Sequence, residues 1–199
     1  MVNHINTIME IILKENFNSR FILGIDGLSR SGKTTLVQSL EKRLIAEDLL
    51  FITIHLDDHI TNRKSRYHTG YPEWYEYYYL QWDINWFVNH IFTNLKMVPS
   101  LTLPFYKSND DSHILKTIQI PKICLIIIEG VFLQRKEWRG FLDYTVFLDA
   151  DRGIRFERES PNTKPAIEKF ENRYWKAEEQ YLNTENPMNR ANLVLTTAN

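Results

Sequence analysis

Between the apolar run Phe21-Ile-Leu-Gly-Ile25 and a stretch of helical periodicity lies Gly27-Leu-Ser-Arg-Ser-Gly32-Lys33-Thr34. No other segment constrains the fold as strongly. Its spacing is G-x-x-x-x-G-K-[ST], and its place between a buried strand and a helix is the context that gives this pattern meaning. The glycines let the backbone curl until successive N–H groups point at one centre, a cradle for phosphate oxygens. The following helix adds its positive N-terminal end. Gly27, Ser29, Arg30, Ser31, Gly32, Lys33, Thr34 and Thr35 are thus expected to bind the phosphates of a nucleotide. Lys33 reaches the β- and γ-phosphates, and the Thr34 hydroxyl coordinates Mg²⁺.

The rest of the chain alternates strand and helix signals. Phe21–Ile25, Phe51–Leu56, Ile123–Ile128, Tyr144–Leu148 and Ala191–Leu195 read as strands, being short, apolar and often β-branched. Helical patterns cover Lys33 to about Glu47, Pro72 to about Leu95, Arg152–Glu159 and Pro165–Leu182. Leu101–Tyr106 reads as an edge strand, because Pro104 would interrupt a central one. An N-terminal amphipathic helix is marked by Ile5, Ile8, Met9, Ile12 and Leu13. This order predicts an α/β, three-layer P-loop NTPase fold with a central, mainly parallel five-stranded sheet and helices on both faces. With 199 residues and no low-complexity linker, one domain spanning 1–199 is expected.

Composition narrows the partners. The 24 basic and 25 acidic side chains leave a net charge of −1, which argues against nucleic-acid binding by bulk charge. The longest apolar run, Ile123–Ile128, is far below the ~20 residues of a membrane span. The N-terminal pattern is not that of a signal peptide. The lone Cys124 excludes a disulfide framework, and a cytoplasmic protein is expected.

A phosphate cradle does not name a reaction. The chain lacks an N-K-x-D segment for guanine, a D-x-x-G switch triplet and an L-S-G-G-Q-like signature. A compact kinase acting on a second small molecule remains. Ligands in such sheets sit beyond the carboxyl ends of the strands, where this sequence places Asp57-Asp58-His59 and Glu129-Gly130. Phosphoryl transfer needs a group that accepts the proton of the attacking hydroxyl and an acid for the metal or its waters. Asp57 or Asp58 suits the first task and Glu129 the second.

Seven pieces in order resemble the uridine kinase family, in the group with phosphoribulokinase, nicotinamide riboside kinase and pantothenate kinase. They are Gly24–Thr35, Leu56–His59, Gln81-Trp82-Asp83, Leu103–Tyr106, Ile127–Phe132, Phe147–Asp151 and Arg155–Arg158. The tail Arg173–Leu182 resembles a late helix of the same kinases. This resemblance implies ATP- and Mg²⁺-dependent phosphorylation of a hydroxyl on a small metabolite, a nucleoside first, with nicotinamide riboside or pantothenate as alternative acceptors. A regulatory nucleotide binder without catalysis is the other alternative. It places the general base on Asp57, a ribose-gripping pair on Trp82-Asp83, pocket contacts on Asp58 and Tyr106, and a base contact on His113. It further implies an acceptor-binding insert over about 60–120 and a small lid over about 151–164, whose Arg155 and Arg158 neutralise the transferring group. A homo-oligomer is compatible with it. On residue pattern alone the arginines, interleaved with Glu157 and Glu159, also fit a solvated ion-pair helix, the lesser of the two readings.

Aromatic residues are 13% of the chain and crowd into Tyr71–Trp82. A helix has one face toward a site, so part of this cluster is expected at the acceptor pocket and the rest in packing.

Overall fold

Cys124-Leu-Ile-Ile-Ile-Glu-Gly130 forms β5 and is buried at every position, as a central parallel strand covered on both faces must be. It lies in a computed structural model that describes residues 2–197. The neighbours of β5 are β1 (Arg20–Asp26) and β2 (Phe51–His55), both parallel to it. β6 (Tyr144–Asp149) pairs with β1, and β7 (Leu193–Thr196) closes the far edge. The order is β2-β5-β1-β6-β7, a five-stranded parallel sheet as the sequence predicts.

The period of two along each strand sends alternate side chains to two separate cores. Leu23, Ile25, Leu125, Ile127, Val146 and Leu148 pack against helices α1 (Val2–Glu15) and α2 (Lys33–Ala46). Ile22, Ile54, Ile126, Ile128 and Phe147 face the opposite layer, which holds Trp82, Trp138, Phe132 and Tyr181. Among the described residues no helix is long and apolar enough to cross a membrane.

Two expectations are corrected. The helix expected from Pro72 to Leu95 is interrupted at 81–83, where the Asp83 carboxylate accepts the Trp86 N–H at 2.9 Å and caps a new helix. Before the break the chain is α-helical at Glu73–Tyr75 and π-wound at Glu76–Leu80; after it, Ile84–Trp86 leads into π-wound Phe87–Phe92. The predicted edge strand does not join the main sheet. It is β3 (Ser100–Lys107), paired among the described residues only with antiparallel β4 (Ser112–Gln119). Polar and exposed on most positions, β4 has no apolar run to reveal it in the sequence.

The inserted segment between β2 and β5 is pinned at its far end by one buried side chain. The Arg20 guanidinium donates to the carbonyls of Leu95, Val98, Ile120 and Pro121 at 2.6–2.9 Å. It satisfies carbonyls left over where helix and hairpin end.

Candidate active site

The loop after β1 owes its path to its glycines. A Cβ on Gly27 would sit 2.6 Å from the Leu148 carbonyl oxygen, and Gly32 has φ +100°, a region that costs other residues strain. Lys33 is buried and its Nζ donates to Leu28 O at 3.0 Å, which tucks the ammonium inside the curl. The buried Ser31 hydroxyl has no hydrogen-bond partner among the described residues. Close-approach glycines, an enclosed lysine and an orphaned hydroxyl fit phosphate oxygens. Ser29, Arg30, Gly32, Lys33, Thr34 and Thr35 all line a cleft of about 770 Å³.

The carboxylates gather where β1, β2 and β5 end. Glu129 is buried; its Oε2 accepts from the Thr34 hydroxyl at 3.4 Å and faces His55 Nδ1 at 2.8 Å. That contact pushes the His55 pKa up. Thr34 and Glu129 present the hard oxygen donors that suit Mg²⁺. Asp57 opens into the same cleft. Its carboxyl is reachable by solvent yet closely walled, so desolvation pushes its pKa up; Lys33 opposes this, while Glu129 and Asp58 reinforce it. Asp58 itself is exposed and does not line the cleft.

Below the loop lies a carboxylate that motif reading passes over. Asp26 is fully buried at the end of β1 and accepts from Gly27 N, Gln134 Nε2 and the Tyr181 hydroxyl. Burial pushes its pKa up. These contacts fix the first residue of the loop from beneath. His55, Gln134 and Tyr181 belong to no short motif, so only the fold reveals them.

The two lid arginines separate. Arg155 is buried and turned away from the cleft, with its guanidinium on both Glu178 oxygens at 2.8 and 3.0 Å and on Ser29 O at 2.9 Å. It is a brace for the loop, and the reading of Arg155 as a phosphate contact is corrected. Glu178, which also accepts the Ser29 N–H at 3.0 Å, completes that brace. Arg158 lines the cleft and reaches Arg30 O and Ser31 O, both at 3.1 Å. Its guanidinium therefore stands over the cradle.

On the acceptor side the expected residues are engaged elsewhere. Trp82 is 1% exposed and packs on Phe132 and Trp138, and its Nε1 donates to Leu56 O at 2.8 Å. It belongs to the core. Asp83 is the exposed helix cap already described. The Tyr106 hydroxyl donates to Asp111 at 2.9 Å and accepts from Arg66 at 3.1 Å. His113 Nε2 holds Ile60 O at 2.8 Å, on the hairpin's outer face. The cleft wall is instead made by Ile60, Tyr77, Gln81, Phe170 and Tyr174. From the aromatic cluster, Tyr77 faces the cleft, whereas the Tyr75 ring stacks on Tyr71 and lies tilted against Tyr79.

These placements predict different phenotypes. Trp82→Ala should cost about 3–5 kcal/mol of stability, as large-to-small core changes do. Asp83→Ala should cost about 0.5–2 kcal/mol, the loss of a cap. For Asp83→Ala the acceptor KM should stay at the wild-type value. Urea titration with steady-state kinetics checks both, and a raised KM in Asp83→Ala would return that carboxylate to the pocket.

Residues 22–159 match the model of the phosphoribulokinase/uridine kinase family. A uridine kinase of Borrelia garinii subsp. bavariensis is 29% identical over 170 residues, covering 82% of this chain and 75% of that protein. A structure described as a possible uridine kinase from Bacillus stearothermophilus superposes with a TM-score of 0.85 at 47% identity, over 97% of each chain. A putative fructose transport system kinase from Silicibacter sp. TM1040 shares the fold, with a TM-score of 0.76 at 18% identity. Cradle, strand-end carboxylates and family match coincide, and the chain belongs to the phosphoribulokinase/uridine kinase family.

Proposed function

We propose that this family member transfers the terminal phosphoryl group of ATP to a primary hydroxyl of a nucleoside, with uridine as first candidate. The observation that carries the reading is a single cleft shared by Lys33, Asp57 and Glu129 and walled on one side by the rings of Tyr77 and Tyr174. Flat aromatic surfaces suit a planar base.

In this reading Asp57 accepts the proton of the attacking hydroxyl as its oxygen bonds to phosphorus. The bond to the bridging oxygen breaks, and ADP leaves. Lys33 and the loop amides hold the phosphate oxygens, and Arg158 neutralises charge spread over the group in flight. Thr34 and Glu129 would hold Mg²⁺, which when bound screens phosphate charge. Residues 151–164 serve as a lid, with Arg158 carried on it. Closure excludes water from the transfer.

Because the positions that resemblance assigns to ribose and base face away from the cleft, a different small hydroxyl compound is the second reading. ADP release with ATP and a panel of nucleosides, polyols and hydroxy acids separates the two. Uridine-dependent turnover well above the ATPase background is the expected result. Turnover confined to a non-nucleoside would install the second reading, and no acceptor-dependent turnover would remove both.

A further inference from the structure

We infer that Gln81 determines acceptor specificity by hydrogen-bonding a polar group of the bound acceptor. This rests on the nucleoside kinase reading above and adds to it a residue that recognises the substrate.

Gln81 lines the same cleft as Asp57, Ile60 and Tyr77, and is only 8% exposed. Its Oε1 is buried and has no hydrogen-bond partner among the described residues. Buried polar atoms are almost always paired, so an orphan at a ligand cleft points to a partner that arrives with the ligand. A terminal amide turns easily about its last torsion. The orphaned oxygen can therefore be brought to face a donor on the ligand.

The backbone prevents this side chain from withdrawing. Gln81 O accepts the Thr61 N–H at 2.9 Å, and the preceding carbonyl, Leu80 O, accepts the Thr61 hydroxyl at 2.8 Å. On the other flank the Trp82 indole is bonded to Leu56 O. Leu56 immediately precedes Asp57, so one short clamp sets both the proton acceptor and the amide. The rival polar groups, Asp83, Tyr106 and His113, are committed elsewhere. Charge also favours an amide here, because a third carboxylate would add to the repulsion between Asp57 and Glu129. The fitting partner is a hydroxyl or N–H donor on an uncharged acceptor. In a nucleoside that donor is a sugar hydroxyl or the N–H of the base.

The test uses the full chain with ATP and uridine, 2′-deoxyuridine, 3′-deoxyuridine and N3-methyluridine, on wild type and Gln81→Leu. The wild type should lose about tenfold or more in kcat/KM on the one analogue that lacks the recognised donor. Which analogue fails tells hydroxyl from N–H. Gln81→Leu should raise the uridine KM by a similar factor, change kcat much less and cease to discriminate against that analogue. Its affinity for a non-hydrolysable ATP analogue should match wild type. Should Gln81→Leu fold poorly, Gln81→Asn, which keeps the amide but draws it back by one methylene, goes through the same series with the same expected and overturning results. Uridine turnover with equal kcat/KM on every analogue, or an unchanged KM in a folded Gln81→Leu, overturns the role of Gln81 and leaves the nucleoside reading standing. Absence of turnover on any nucleoside overturns that reading and the inference with it.

Discussion

Asp57→Asn should lower kcat by about 10²–10⁴-fold, the range supplied by a positioned general base, while ATP-analogue binding stays close to wild type. Asparagine keeps the shape of the side chain and cannot take the hydroxyl proton. The nucleotide cradle, built from Gly27 to Thr35, does not depend on it. The pH profile carries the sign. The base works only when ionised, so kcat/KM should fall as pH drops through the Asp57 pKa. Desolvation in the cleft and the charges of Glu129 and Asp58 push that pKa above the ordinary value of 3.8. The acid limb should therefore lie higher than for an unperturbed aspartate, and Asp57→Asn should abolish it. Steady-state ADP release across pH, with analogue binding measured separately, checks both effects. Wild-type turnover in the mutant would remove the base assignment.

Arg155→Ala should destabilise the fold by about 3–5 kcal/mol, the cost of leaving one partner of a buried ion pair without the other. The side chains of Arg155 and Glu178 are 5% and 1% exposed, so solvent cannot take over the lost partner. For a chain of this size that corresponds to a drop of about 6–20 °C in Tm. Arg158→Ala serves as the contrast, since that side chain is exposed. It should leave Tm within about 2 °C, as surface changes usually do, and lower kcat. Thermal denaturation and kinetics on the two variants give a crossed pattern. A stable Arg155→Ala enzyme with a selective loss of kcat would instead place Arg155 on the phosphate.

The loop, the parallel sheet and the strand-end acids were readable because each rests on local pattern: glycine spacing, doubly apolar runs, and carboxylates at run ends. Asp57, Glu129, Lys33 and Thr34 do meet in one cleft. What local pattern cannot give is side-chain direction after a break. Trp82-Asp83 looks like a substrate pair until the capping of Trp86 N shows that Asp83 starts a helix, which turns Trp82 inward. Arg155 and Arg158 share a helical face in sequence, yet the long-range partner Glu178 claims only the first. β4 stayed hidden because the hairpin packs on the core mainly through Leu101, Leu103 and Phe105 of β3, which leaves β4 mostly exposed and without an apolar run. Gln81 lies in the Gln81-Trp82-Asp83 piece, but the resemblance gives a role only to its two neighbours, and an orphaned oxygen beside the cleft is what singles Gln81 out.

The π-wound segments Glu76–Leu80 and Phe170–Trp175 both bear on the acceptor side, the first through Tyr77 and the second through Phe170 and Tyr174. A π turn accommodates one residue beyond the α count, and each residue of an α-helix advances by about 100° around its axis. Loss of a single residue from either segment would restore ordinary winding and swing the side chains beyond it by that angle relative to the cleft. The acceptor wall can thus be re-registered by single-residue deletions, while the parallel sheet and the phosphate cradle keep their sequence and their shape.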